Sequence, residues 1–377
     1  MPLTGPPLTC ANPIDSLLDR GLTAKPDAVA LASRKTQLSW RQLADSSTRL
    51  AAGYLELGLT PGDRVASLMP NRPALIIHYL ACLKAGLVAL PLNYRYMPPE
   101  IDHALDVGGA SLLLHHAERD GDVAASRFGR QLPKGVIRYK ASGGPGVHYE
   151  ELLNRPCHAA DLPPAGLDAP AFIYFTSGST GKPKGVTHTR RTFGWMMAAA
   201  IQGMELTDAD TFLPGSSHSH IGGSLFSLST LAAGGRLIIP RGSEGAEVLP
   251  LLRQHRPTVL FMLPAALITF LREHQASSQD FSSVRLCLSG GDKVSPELER
   301  EFTSLAGFPV DESYGMTEIG LATLNPPSGE NRLGSIGKPG PGYEMSLRDE
   351  SGADIGAGAS GRLWIRSQTN TVGYWNN

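Results

Sequence analysis

The sequence predicts an α/β protein with two subdomains, each a mostly parallel sheet flanked by helices, followed by a small antiparallel β-barrel-like subdomain. Three observations carry that expectation. Short apolar runs alternate with helical stretches along most of the chain, and a strand, helix, strand succession implies parallel strands joined by a right-handed crossover. At 377 residues the chain is longer than one ordinary core accommodates. After Gly334 the texture changes to short alternating stretches punctuated by Gly and Pro, the pattern of a small antiparallel sheet or barrel.

Arg64 to Met69 is a short apolar run, Asn71 is placed to cap a helix reaching about Ala85, and Gly86 ends it before the strand-like Val88-Ala-Leu-Pro91. The Pro-rich stretch from Pro156 to Pro170 reads as a loop leading into the apolar strand Ala171 to Phe175. A second series starts near Leu237 to Pro240 and runs through a helical Val248 to His255, a strand Val259 to Met262 and a helical Ala265 to His274. It continues through the strand Val284 to Leu288 and a helix opening at Ser295-Pro296, where Ser suits the cap and Pro the first turn. Tyr343 to Arg348 and Arg362 to Arg366 are the alternating stretches of the tail. The expected divisions are 1–170, an α/β subdomain with its linker; 171–333, a second α/β subdomain bearing the phosphate loop; and 334–377, the β-rich part.

Charge and cysteine usage narrow the function classes. The 34 Lys+Arg against 35 Asp+Glu give a net charge of -1, with no clustered cations for a nucleic-acid backbone. Any phosphate recognised here belongs to a small ligand. Cys10, Cys82, Cys157 and Cys287 contain no C-x-x-C pair and read as free thiols in a reducing, cytoplasmic compartment. The N-terminus lacks the basic start and apolar core of a secretory signal. Ala74 to Leu92, the most hydrophobic stretch, holds His78 and Lys84 and is broken by Gly86, so no membrane span is expected.

The chemistry concentrates in Tyr174-Phe-Thr-Ser-Gly-Ser-Thr-Gly-Lys-Pro-Lys-Gly-Val186, a strand running into a loop of Gly, Ser, Thr and Lys. Small residues admit backbone N–H groups close to an anion, hydroxyls add donors, and Lys182 and Lys184 add charge, which together describe a polyphosphate cradle. It is not a Walker loop, because Gly178 and Gly181 are too close and Pro183 stands where a magnesium-binding hydroxyl belongs.

That string resembles the phosphate-binding loop of the adenylate-forming superfamily, which includes acyl-CoA synthetases, nonribosomal-peptide adenylation domains and beetle luciferases; Ser179 stands where many members have Thr. Other segments are similar in the family's order: Leu38-Ser-Trp-Arg-Gln-Leu43, Pro61-Gly-Asp-Arg-Val65, Leu80 to Gly86, Leu288-Ser-Gly-Gly-Asp292, Tyr314-Gly-Met-Thr-Glu318, Gly334 to Gly342 and Gly361 to Trp375. The resemblance covers about residue 15 to 377. It implies ATP, Mg²⁺ and CoA, or a carrier's phosphopantetheine, acting on a carboxylic acid, with an acyl-AMP ligase serving a carrier protein and an inactive nucleotide-binding homologue as the other readings.

Residue by residue, the resemblance places Thr176, Ser177, Gly178, Ser179, Thr180, Gly181, Lys182 and Lys184 on the ATP phosphates. It places Gly290, Gly291, Ser313, Tyr314, Gly315 and Met316 around the nucleotide. Tyr314 offers a flat face for adenine, and the paired glycines let backbone line the ring. Glu312 is either a further lining residue or an exposed acid. Thr317 is positioned to donate to the α-phosphate, and Glu318 supplies the hard oxygen that Mg²⁺ prefers. Thr176, Lys182, Thr317 and Glu318 are the expected catalytic set. On the acyl side, either His218 or His220 faces the carboxylate, with Ile221 and Gly222 beside them and Trp195, Met196 and Met316 as pocket lining or ordinary core. His218 and His220 on one strand face would suggest a metal pair, yet no third ligand is evident. Phe212 to Gly223 lacks the acid that pairs with an α-ammonium in amino-acid-activating members, which favours an acid with an uncharged aliphatic or aromatic tail. The chain stops at Gly373-Tyr-Trp-Asn-Asn377, before the family's ribose-binding Asp, hinge and bridging lysine; the expectation is a missing C-terminal domain of roughly 100 residues and slow turnover without it.

Overall fold

The computed structural model describes residues 2–144, 146–154, 162–176, 182–274, 276–356 and 358–376. Among these, an eight-stranded sheet runs Gly373–Tyr374, Lys184–Thr189, Pro170–Thr176, Val88–Pro91, Arg64–Leu68, Leu112–His116, Val136–Tyr139 and Val147–His148. A nine-stranded sheet runs Lys338–Pro339, Gly320–Leu324, Asp311–Met316, Leu286–Gly290, Val259–Met262, Thr211–Gly215, Arg236–Ile239, Val29–Ser33 and Gln37–Ser39. The central strands of both are parallel, as the alternation of strands and helices requires; the edges are antiparallel except at Val147–His148, which pairs parallel with Val136–Tyr139.

Hydrogen bonding crosses the division expected at residue 170. Pro170–Thr176 pairs parallel with Val88–Pro91 and antiparallel with Lys184–Thr189, so the phosphate hairpin belongs to the first sheet. Val29–Ser33, from early in the chain, completes the second sheet beside Arg236–Ile239. An apolar run tells that a strand is buried but not which neighbour it joins, and here the neighbours are exchanged. The tail differs from expectation too. Leu3–Thr4, Glu344–Arg348 and Arg362–Arg366 form an open three-stranded antiparallel sheet, not a barrel, while the short strands Lys338–Pro339 and Gly373–Tyr374 extend the two large sheets.

Local signals mostly act as read. Ser295 caps the helix Pro296–Ala306 by accepting from Leu298 N–H, with Pro296 in the first turn. A cap not foreseen from the sequence is the reciprocal capping box that Ser39 and Gln42 form on Trp40–Glu56. Asn71 is an exception: Arg72 occupies the cap position of Pro73–Lys84, and Asn71 instead donates to the Ser216 carbonyl and accepts from His218 N–H, both at 2.8 Å. That helix is buried from Pro73 through Leu83, which explains its continuous hydrophobicity without a bilayer; no helix among the described residues is long and apolar enough to cross a membrane.

The two sheets share one core. A single apolar cluster takes Leu31, Phe212, Val259 and Leu288 from one sheet and Val65, Ala89, Phe172 and Tyr174 from the other, with Leu80, Phe193 and Leu228 on the helices between. Phe172 stacks on Phe193 at 4.5 Å and meets Tyr79 edge-on at 5.6 Å, a preferred aromatic arrangement. Because the core is common, the strand ends of both sheets are held at fixed spacing, and the site lies where they converge. Cys10, Cys82 and Cys287 are free thiols.

Candidate active site

The phosphate hairpin brings Thr176 opposite Lys184 in register. Ser177, Gly178, Ser179, Thr180 and Gly181 lie outside the described residues. Lys182 is exposed at the returning side, and the Pro183 carbonyl accepts from His103 Nε2 at 2.9 Å, fixing the base of the turn to the helix Pro98–Gly108.

The returning strand carries an unforeseen residue, His188. Its Nε2–H donates to the Thr317 carbonyl at 2.8 Å, and its Nδ1 accepts from the Thr192 hydroxyl at 3.3 Å. Burial lowers its pKa to about 4, so the ring is neutral, and the Thr317 bond fixes the tautomer. The turn bearing Thr317 and Glu318 is thereby tied to the phosphate hairpin. A second tie comes from the end of the chain: Thr371 N–H donates to the Glu318 carbonyl at 2.7 Å, and Tyr374 O–H to Glu318 Oε1 at 3.0 Å. The Tyr374 ring lies 5.1 Å from Lys184 Nζ, within cation–π range. Lys184, Tyr374 and Glu318 thus form one contiguous group.

On the second sheet, Gly290 and Ser313 are register partners at the carboxyl ends of adjacent parallel strands, where ligands bind in open α/β sheets. A Cβ at Gly290 would stand 2.7 Å from Ser313 Oγ, so only glycine fits. Gly291 turns with φ +87°, a conformation that favours glycine. Tyr314 is half-buried and follows Ser313 directly, with a strand irregularity between it and Gly315. Met316 is 43% exposed. Gly290, Gly291, Ser313 and Tyr314 therefore lie together at the ends of two adjacent strands. Glu312 is not an exposed acid: it is buried, and its carboxylate accepts from Lys293 Nζ and Val294 N–H.

The two histidines separate. They follow the strand Thr211–Gly215 rather than lying on it. His218 is fully buried; its Nε2 bonds Ser227 Oγ at 3.0 Å and burial lowers its pKa to about 3. His220 is exposed at the cap position of the helix Ile221–Ala232, so of the pair it alone is open to a substrate. Ile221 and Gly222 follow it, half-buried. Among the described residues no group of three His, Cys, Asp or Glu is arranged to hold a metal. Trp195 is not brought to this group: it lines a 510 Å³ cleft with Leu8, Tyr343 and Arg366 beside the three-stranded sheet. Met196 is buried and packs beside Gly320.

Parallel sheets that end in a lysine-bearing hairpin, a glycine-flanked aromatic shelf and a lone acid define the nucleotide-binding fold of the adenylate-forming enzymes. The chain belongs to the AMP-binding enzyme family, whose model matches residues 18–375. It is 33% identical over 353 residues to a feruloyl-CoA synthase of Amycolatopsis sp, covering 93% of this chain and 69% of that protein. It is 28% identical over 360 residues to the fatty acid–[acyl-carrier-protein] ligase ScoC of Streptomyces coeruleorubidus, covering 93% and 68%. The structure is similar to ATP-bound MatB from Rhodopseudomonas palustris, with a TM-score of 0.87 at 25% identity over 97% of this chain and 72% of that one.

Proposed function

We propose that the protein joins a carboxylic acid to ATP as an acyl adenylate, releasing pyrophosphate, and then passes the acyl group to the thiol of CoA. The observation that carries this reading is the Lys184, Tyr374 and Glu318 group tied through His188 to Thr317. It gathers a cation, a hydroxyl donor and an acid from three distant segments.

A carboxylate is a poor acyl donor because its leaving group would be oxide. Attack of one carboxylate oxygen on the α-phosphorus forms a P–O bond, and the α–β bridging bond breaks with its electrons leaving on pyrophosphate. The thiol then adds to the activated carbonyl, AMP departs, and the thiol proton goes to solvent. In such transfers the protein contributes position and charge neutralisation. Thr176, Lys182 and Lys184, with the hairpin residues 177–181, would hold the β and γ phosphates; Thr317 would donate to the α-phosphate; Tyr314 would carry the purine. Glu318 has one carboxylate oxygen bonded to Tyr374 and, among the described residues, the other open. That suits Mg²⁺, which takes one or two carboxylates beside phosphate oxygens and waters and would neutralise phosphate charge.

His220, Ile221 and Gly222 would meet the acid, and the absence of Asp or Glu from Phe212 to Gly223 supports an uncharged tail. The likeness to feruloyl-CoA synthase makes an aryl acid the first substrate to try. The likeness to a carrier-protein ligase supports loading of phosphopantetheine as the second reading. A cytoplasmic location suits all of these substrates. Carboxylate-dependent exchange of labelled pyrophosphate into ATP tests the adenylation, and mass spectrometry of CoA against a phosphopantetheinyl carrier separates the acceptors. No exchange with any aryl or aliphatic acid would sink the proposal.

A further inference from the structure

The turn after the strand Leu286–Gly290 is fastened from behind by charges that the phosphate chemistry does not use. Glu299 and Glu312 are 4% and 2% exposed, and carboxyls so placed are seldom buried without partners. Lys293 Nζ donates to Glu312 Oε2 at 2.5 Å and to the Gly334 carbonyl at 3.2 Å. Val294 N–H donates to the other Glu312 oxygen at 3.1 Å. Gly334 N–H bonds both oxygens of Glu299, at 3.0 and 3.1 Å. Just beyond, Thr323 Oγ1 donates to the Ile336 carbonyl at 2.6 Å and accepts from Tyr314 N–H at 3.3 Å. Three segments distant in sequence, the Gly290 turn, the Tyr314 strand and the Gly334 segment, are locked together behind the shelf.

Lys293 supplies the cation that pairs with the buried Glu312 carboxylate, and its single ammonium bridges all three segments. We infer that Lys293 is a positioning residue of the purine shelf: by joining Glu312 to Gly334 it holds the Gly290–Gly291 turn at the spacing from Tyr314 that an adenine ring needs. The inference rests on the ATP reading above and adds a residue to it. Lys293→Met keeps the aliphatic stem and removes the bridge, leaving Glu312 short of a partner. The loosened turn affects only a ligand with a ring to clasp.

Calorimetric titration of the 377-residue chain with ATP and, separately, with inorganic tripolyphosphate, both with Mg²⁺, tests this. Lys293→Met is expected to weaken ATP about five- to thirtyfold, the loss of one or two hydrogen bonds to a charged group, and to leave tripolyphosphate unchanged. Lys293→Arg, which can still bridge, is expected to restore ATP binding. Lys293→Gln, uncharged but able to donate one bond, serves if the Met variant does not fold, with the same selective loss expected. Equal ATP affinity in the variants and the unaltered chain, or equal loss of both ligands, would overturn the inference. Failure of the unaltered chain itself to bind ATP would overturn the parent reading instead, before any variant is compared.

Discussion

Tyr374 couples an acid and a base that lie far apart in the chain. Its hydroxyl donates to Glu318 while its ring faces Lys184, so one side chain sets the separation of two groups expected to meet the phosphates. Tyr374→Phe keeps the ring and drops the hydrogen bond, about 1 kcal/mol or roughly a fivefold loss. Pyrophosphate exchange at limiting Mg²⁺ is expected to fall by that factor, and Tyr374→Leu, which loses the ring as well, to fall further. Full activity in both variants would mean that Glu318 and Lys184 are positioned by other groups. His188 acts at the same scale in a different way. Buried and neutral, it offers a donor at Nε2 and spends no charge beside the phosphates.

The strand Asp311–Met316 works as an element because its glycine admits a close return of the chain. Gly315 pairs with Leu321 across an irregular register, and a Cβ there would stand 2.3 Å from the Gly320 carbonyl oxygen. Backbone cannot swing aside as a side chain can. Gly315→Ala is therefore expected to cost about 2 kcal/mol or more, seen as a lower Tm together with weaker ATP binding. Gly121, within the helix Asp120–Ala125, is the control: nothing lies within 4 Å of its Cβ position, so Gly121→Ala should leave Tm unchanged or raise it. A Gly315→Ala chain as stable as the Gly121→Ala chain would contradict this account.

Among the described residues, His78, His188 and His218 are fully buried in or beside the shared core. Burial lowers the pKa of His78 and His218 to about 3 and that of His188 to about 4, from 6.5. Above pH 6.5 both folded and unfolded chains hold these rings neutral. Below it the unfolded chain takes up protons that the fold refuses, so stability declines as pH falls from 6.5 toward 4. Asp311, raised to about 7 by burial, works in the opposite sense: the fold keeps its proton, and its contribution is lost as pH rises from 3.8 toward 7. Asp311→Asn removes that opposition. In this background Tm is expected to fall steadily between pH 6.5 and 4.5, and a flat Tm would show that the buried rings can be protonated without unfolding.

Sequence alone determined whatever a few neighbouring residues decide. Ser295 as a cap, the alternation of strands and helices, the Gly290–Gly291 turn and the string from Tyr314 to Glu318 are all local, and each is where its residue types require it. Tertiary structure alone decided which strands pair and which side chains meet. It moved the hairpin after Thr176 into the first sheet, left the tail as an open sheet, buried Glu312 on Lys293, took Trp195 to another cleft and buried His218 while leaving His220 exposed. It also brought His188 to Thr317 across 129 residues and Tyr374 to Glu318 across 56. Propensity and periodicity act within a turn or two of chain, whereas these contacts arise from two sheets packing on one core, and no short string encodes the partner at the far end.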